Sequence, residues 1–176
     1  MSSTNTREIW LMRTELNQRF TQTVPSEFTW HQFKVNRDEA EFLAANADAF
    51  AAHPEQGLWD LSDLTTRLNE PWFNPEDFFL LRDAEGNIVG FVWVKVHIER
   101  MVPDAEIYLV GLTQKYQLKG LGKAVLTHGL NRIYDKGFRE AIIYVDAPNT
   151  AALNLYQKHG FKKISSQIVP IEKKRD

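Results

Sequence analysis

Eleven residues, KYQLKGLGKAV from Lys115 to Val125, set two glycines and a lysine directly before a run of helix-forming apolar side chains. Such a loop can hold an anion, because the first N–H groups of a helix lack carbonyl partners and the helix dipole favours negative charge there. Spacing excludes a Walker A loop: Gln117 stands where its first glycine belongs, and Ala124 follows the lysine where Ser or Thr is required. The dinucleotide fingerprint fails at Val125, where a third glycine is needed. What remains is Gln-x-x-Gly-x-Gly over 117–122, which is either an anion cradle or a glycine loop that merely starts a helix.

The flanking elements decide how that loop is presented. AEIYLVGL, 105–112, is apolar and β-branched enough for a buried strand and leads into the loop. Beyond it, Leu121, Val125, Leu126, Leu130, Ile133 and Tyr134 follow helical spacing, and Gly137 marks the helix end. AIIYVDA, 141–147, reads as another strand, APNTAALNLYQKHG as a short helix and FKKISSQIV as a final strand. Upstream, FTWHQFKV (28–35) alternates as a strand, NRDEAEFLAANADAFAAH has helical periodicity, and DLSDLTTRLNE (60–70) is a second helix. FFLLRD and IVGFVWVKVHI around AEGN form a hairpin. The order predicts a mixed α/β (α+β) fold with a mostly antiparallel sheet flanked by helices, and one parallel pair joined by the helix at 121–136. In an ideal strand Glu106, Tyr108 and Val110 share a face. Tyr156, two helical turns after Asn149, is either plain core or a phenol facing a cleft.

A chain of 176 residues has the size of one domain. Its net charge of −2 with mixed signs carries no nucleic-acid footprint. With no cysteine, disulfides, thiolate metal sites and a cysteine nucleophile are excluded. The five histidines lack metal-ligand spacing, so no metal is expected. No apolar run is long enough for a membrane span and the N-terminus lacks a secretory segment, so a cytoplasmic location is expected.

IYLVGLTQKYQLKGLGKAVL followed by IIYVDAPNTAALNLYQKHGF resembles the GNAT superfamily of acetyl-CoA-dependent N-acetyltransferases. Longer stretches, NADAFAAHPEQGLWDLSDLTTRLNEPWFNPEDFFLL, GFVWVKVH and IYVDAPNTAALNLY, look like the catalytic half of the mycothiol synthase family, whose members carry two such repeats. The resemblance implies a single GNAT domain at 28–170. Residues 1–27 would be an N-terminal extension, of which REIWLMRTEL resembles an inter-repeat segment, and 171–176 a charged tail. It implies acetyl-CoA as cosubstrate, held by Val110, Gly111 and Leu112, by Gln117, Leu118, Lys119, Gly120, Leu121, Gly122 and Lys123, and by Asn149, Ala152 and Asn154. It makes Glu106 the base acting through water and Tyr156 the proton or hydrogen-bond donor to the leaving thiolate. Glu55, Lys95, Glu106 and Tyr144 would contact a small polar amine, with a cysteinyl sugar as the acceptor. Two alternatives stay open: peptide Nα-acetylation, and a single repeat that binds acetyl-CoA without transferring. A homodimer through an exposed sheet edge near REIWLMRTEL is a further expectation.

Overall fold

The computed structural model describes residues 5–21, 23–53 and 55–172. Seven strands form one sheet: β1 (Thr6–Glu15), β2 (Thr29–Gln32), β3 (Phe78–Arg82), β4 (Ile88–His97), β5 (Asp104–Leu112), β6 (Glu140–Asp146) and β7 (Lys162–Pro170). Their spatial order is β2-β3-β4-β5-β6-β1-β7, and every neighbouring pair is antiparallel except β5 and β6. Among the described residues there are four α-helices, α1 (Glu39–Ala49), α2 (Leu61–Leu68), α3 (Leu121–Asp135) and α4 (Thr150–Lys158), besides three short 3-10 turns. Among the described residues no helix is long and apolar enough to cross a membrane.

The alternation of strand side chains divides the core into two faces. Ala105, Ile107, Val92 and Val94 pack with Val125, Leu126, Leu130 and Ile133 of α3, together with Met12, Ile143, Tyr156 and Phe161. On the other face Phe33, Phe42, Leu64, Phe78, Leu80, Phe91, Trp93 and Leu109 form an aromatic-rich cluster with α1 and α2. The helix joining the parallel strands is the right length for a crossover, and it approaches the sheet at Gly129. A Cβ there would stand 2.6 Å from Val92 and 2.8 Å from Ile107.

Two expectations change. Residues 6–15 are not an appendage to a domain starting at residue 28: β1 is hydrogen-bonded to β6 on one side and β7 on the other. REIWLMRTEL itself is therefore no edge, since β7 covers it and is the edge strand beside it; Met12 is buried in the core and Trp10, partly buried, packs against it. Of the expected tail, 173–176 lie outside the described residues, as do residues 1–4 of the expected extension.

The second change is on β5. Trp93 pairs with Leu109 but Val94 pairs with Ile107, so one extra residue, Tyr108, is inserted. A bulge of this kind resets which face each following residue occupies. Val110 and Leu112 consequently pack on the α3 side, whereas Glu106 faces Tyr108 and Leu109 on the other. Glu106, Tyr108 and Val110 do not share a face as an ideal strand would have them.

Candidate active site

The parallel pair β5 and β6 is registered only at Glu106–Ile142 and Ile107–Ile143. Past those residues the strands part, while Tyr144, Val145 and Asp146 go on pairing with β1 on their far side. The parting leaves two strand edges facing each other across a cavity of about 460 Å³. Its walls include Glu106, Tyr108, Val110, Tyr144, Asp146, Asn149 and Tyr156.

The starts of the helices differ in a way that matters here. Asp60 and Asp63 form a reciprocal capping box on α2, and the Asn149 side chain accepts from the Ala152 N–H of α4. α3 begins at Gly120, which has no side chain to offer, so its first-turn N–H groups are left for something else. Two residues before and at that start, Leu118 and Gly120 hold left-handed backbone, φ 62° and 80°. Glycine adopts this conformation freely, but a leucine does so at a cost, and left-handed residues in a loop turn successive N–H groups to one side. Leu118 itself is fully exposed, so burial of its side chain is not the compensation. A Cβ on Gly122 would lie 3.8 Å from Leu112 at the end of β5 and 3.5 Å from Leu155 of α4, which places the loop at the end of the parted strands. Gln117 ties the loop down, donating from Nε2 to the Leu112 carbonyl at 2.9 Å.

Glu106 is 6% exposed and Tyr156 7%, and both border the cavity. Oε2 of Glu106 lies 2.6 Å from Nε2 of His97 on the neighbouring strand. Tyr156 packs against Phe161, and burial pushes its phenol well above the usual range. Burial likewise raises Tyr108, against the pull of the Arg67 guanidinium, whose Nε donates to its hydroxyl at 2.8 Å. Arg67 also lies over the Trp59 ring at 3.8 Å, and both residues border the cavity.

At the mouth, Arg7 of β1 joins Glu55 and Asp146 at 2.8 Å each. His53 accepts the backbone N–H groups of Glu55 and Gln56 at Nδ1, and its Nε2 lies 2.6 Å from Asp146 Oδ2 and 3.1 Å from Nη1 of Arg7. Glu55 also accepts from the Glu172 N–H, bringing the end of the described chain to the same place.

Of the residues singled out from sequence, Glu55, Glu106, Val110, Tyr144, Asn149 and Tyr156 come together around the cavity. Lys95 does not reach it: although paired with Glu106 across the strands, its Nζ lies over Trp72 at 4.7 Å and Tyr108 at 5.4 Å. Gly111, Leu112 and 117–123 continue beyond it, Ala152 is partly buried on α4, and Asn154 is on the exposed side of that helix. Arg7, His53, Arg67, His97 and Asp146 were missed. Their partners lie up to 139 positions away in the chain, as for Arg7 and Asp146, so no local spacing announces them.

Residues 42–161 match the model of the acetyltransferase (GNAT) family. The chain is 42% identical over 164 residues to a mycothiol acetyltransferase of Thermobispora bispora, covering 91% of this chain and 55% of that protein. It is 40% identical over 168 residues to one of Streptomyces bingchenggensis, with 93% and 54% covered. The chain thus spans about half the length of these relatives. Among solved structures, a GCN5-related N-acetyltransferase from Sphaerobacter thermophilus superposes with a TM-score of 0.76 at 23% identity, over 97% of this chain and 54% of the other. The parted parallel strands, the uncapped glycine start of α3 and these matches together lead to one conclusion: the chain belongs to the acetyltransferase (GNAT) family.

Proposed function

We propose that the chain moves an acetyl group from acetyl-CoA to the amine of a small polar acceptor. One observation carries this reading: the parting of β5 and β6 sets a carboxylate and a buried phenol, Glu106 and Tyr156, on the walls of a single cavity. When bound, acetyl-CoA supplies an activated acetyl group and a thiolate leaving group. The residues fit such a cosubstrate. The open N–H groups of Gly120, Leu121, Gly122 and Lys123, with the left-handed turn at Leu118, suit a pyrophosphate, and Lys119 and Lys123 add positive charge. Gln117 braces that loop. Val110, Gly111 and Leu112 offer the unpaired strand edge to an extended amide arm, and one backbone donor aimed at a thioester oxygen is worth ~3 kcal/mol. Asn149, through Ala152, shapes the start of α4 beside the cleft.

Glu106 takes the acceptor's proton, through water because the bulge turns it away from Val110. An α-amine with a pKa near ~8 surrenders that proton far more readily than a lysine-like amine near ~10.4. The raised Tyr156 phenol keeps its proton and acts as a hydrogen-bond donor to the leaving sulfur. Glu55, Asp63, Asp146 and Glu172 join Glu106 in the lining against Arg7 and Arg67, an acidic excess that draws in a cationic amine. The similarity to mycothiol acetyltransferases supports a cysteinyl-sugar amine, with Glu55 and Tyr144 at the mouth as polar groups that would meet it.

The test incubates the chain with labelled acetyl-CoA, a cysteinyl glucosaminide and a set of peptides, and follows products by mass spectrometry. The expected result is acetylation of the cysteinyl amine with the highest kcat/KM. Preference for peptides would replace the acceptor, and acetyl-CoA binding without any acetylated product would make this a binding domain.

A further inference from the structure

Glu106 has two candidate cations on β4. Lys95 is its cross-strand partner, yet the Lys95 ammonium sits over Trp72 and Tyr108. His97, two residues further along the same face, takes the carboxylate instead, with Nε2 at 2.6 Å from Oε2. The other ring nitrogen, Nδ1, is 3.1 Å from Oε1 of Glu99. His97 is 5% exposed, whereas the Glu99 side chain is 62% exposed. Carboxylates on both ring nitrogens call for donors on both, and only an imidazolium has them. The second oxygen of Glu106 has no hydrogen-bond partner among the described residues, and the residue borders the cavity.

A base must be ionised, but burial without a charged partner drives a carboxylate towards its neutral acid. We infer that His97, anchored by Glu99, is a positioning residue for acetyl transfer: its imidazolium keeps Glu106 ionised and fixes one oxygen, leaving the other to receive the acceptor's proton. This rests on Glu106 being the base. The charged and titratable groups around the ring are Glu106 and Asp104 from β5 and Glu99 and Arg100 from the loop after β4, with Lys95 of β4 and Tyr144 of β6 further out, acting on Glu99 and Arg100. The bond to Glu106 is the main cause that raises His97 above its ordinary range; burial opposes it, Glu99 adds to it and Arg100 subtracts. The imidazolium therefore persists as pH rises through the usual histidine range and is lost only above it.

The test measures kcat/KM against pH for the whole chain, for His97→Gln and for Glu99→Gln, and follows the Glu106 side-chain carboxyl by carbon NMR in each. For His97→Gln a fall of about 10–100-fold in kcat is expected, with KM for acetyl-CoA within about twofold and the acid limb moved up by about one pH unit. Glu99→Gln, at an exposed site, moves the limb the same way by less. The carboxyl titration moves up with it, and that reading needs no turnover. If Glu106→Gln kept the wild-type rate, the base reading would fall and the role of His97 with it. If Glu106→Gln lost turnover while His97→Gln left both the pH profile and the carboxyl titration in place, acetyl transfer would stand and the inference about His97 would be overturned.

Discussion

Tyr156 and Glu106 are buried to the same degree, and burial acts on them with opposite usefulness. Loss of hydration favours the neutral form of each. A phenol that keeps its proton remains a donor, so Tyr156 needs only the apolar packing of Phe161 around it. A carboxylate that gains a proton is no base, so in the role proposed for it Glu106 needs an ion partner, and His97 stands beside it. His128 shows a third outcome. It lies on α3, stacked on Trp30 with ring centroids 3.9 Å apart, and burial, helped by Arg19, pushes it down to about 4. The fold thus holds it neutral, and the unfolded chain takes up a proton there below a pH of ~6.5. Its contribution is complete above that pH and is lost as pH falls through about 4. Denaturant melts between pH 7 and 4 should show an acid loss on the order of 2 kcal/mol that His128→Gln removes.

At the scale of elements, the site depends on a strand that is irregular in one place and on a helix that comes unusually close. The bulge at Tyr108 separates the face carrying Glu106 from the face carrying Val110, and α3 delivers the glycine loop to the end of β5. That delivery requires Gly129, where even a methyl group would collide with Val92 and Ile107. Gly129→Ala should cost about 1–3 kcal/mol in urea unfolding by overpacking. Gly122→Ala, where a Cβ meets only ordinary contacts, should leave stability within about 0.5–1 kcal/mol, the helix gain offsetting small crowding. The loop, the parallel pair and α4 were legible in sequence because their signals are local: glycine spacing and the periodicity of strands and helices. The bulge was not, since it exists only in the pairing of β5 with β4. Nor were His97 and Arg7: each is a polar residue on a strand whose meaning comes from a partner on another element.

For the whole molecule, β1 is the strand that completes the sheet. It separates β6 from β7, and its residue Arg7 links the mouth of the cavity to Glu55 and Asp146. The resemblance implied a domain between 28 and 170 but could not show that a preceding segment inserts into the sheet, because insertion is a matter of topology. A chain beginning at Phe28 would leave the edges of β6 and β7 unpaired and Met12 missing from the core. It should show no cooperative thermal transition, whereas the full chain should melt in one; equal melting of both would contradict the role given to β1. The central claim is that the parted strands form a working acetyl-transfer site. It is tested most directly by comparing product formation from labelled acetyl-CoA and a cysteinyl glucosaminide for the wild-type chain and the double variant Glu106→Gln, Tyr156→Phe, with acetyl-CoA affinity measured in parallel. The account predicts a loss of at least about 100-fold in kcat at little-changed acetyl-CoA affinity; a double variant as fast as wild type would contradict it.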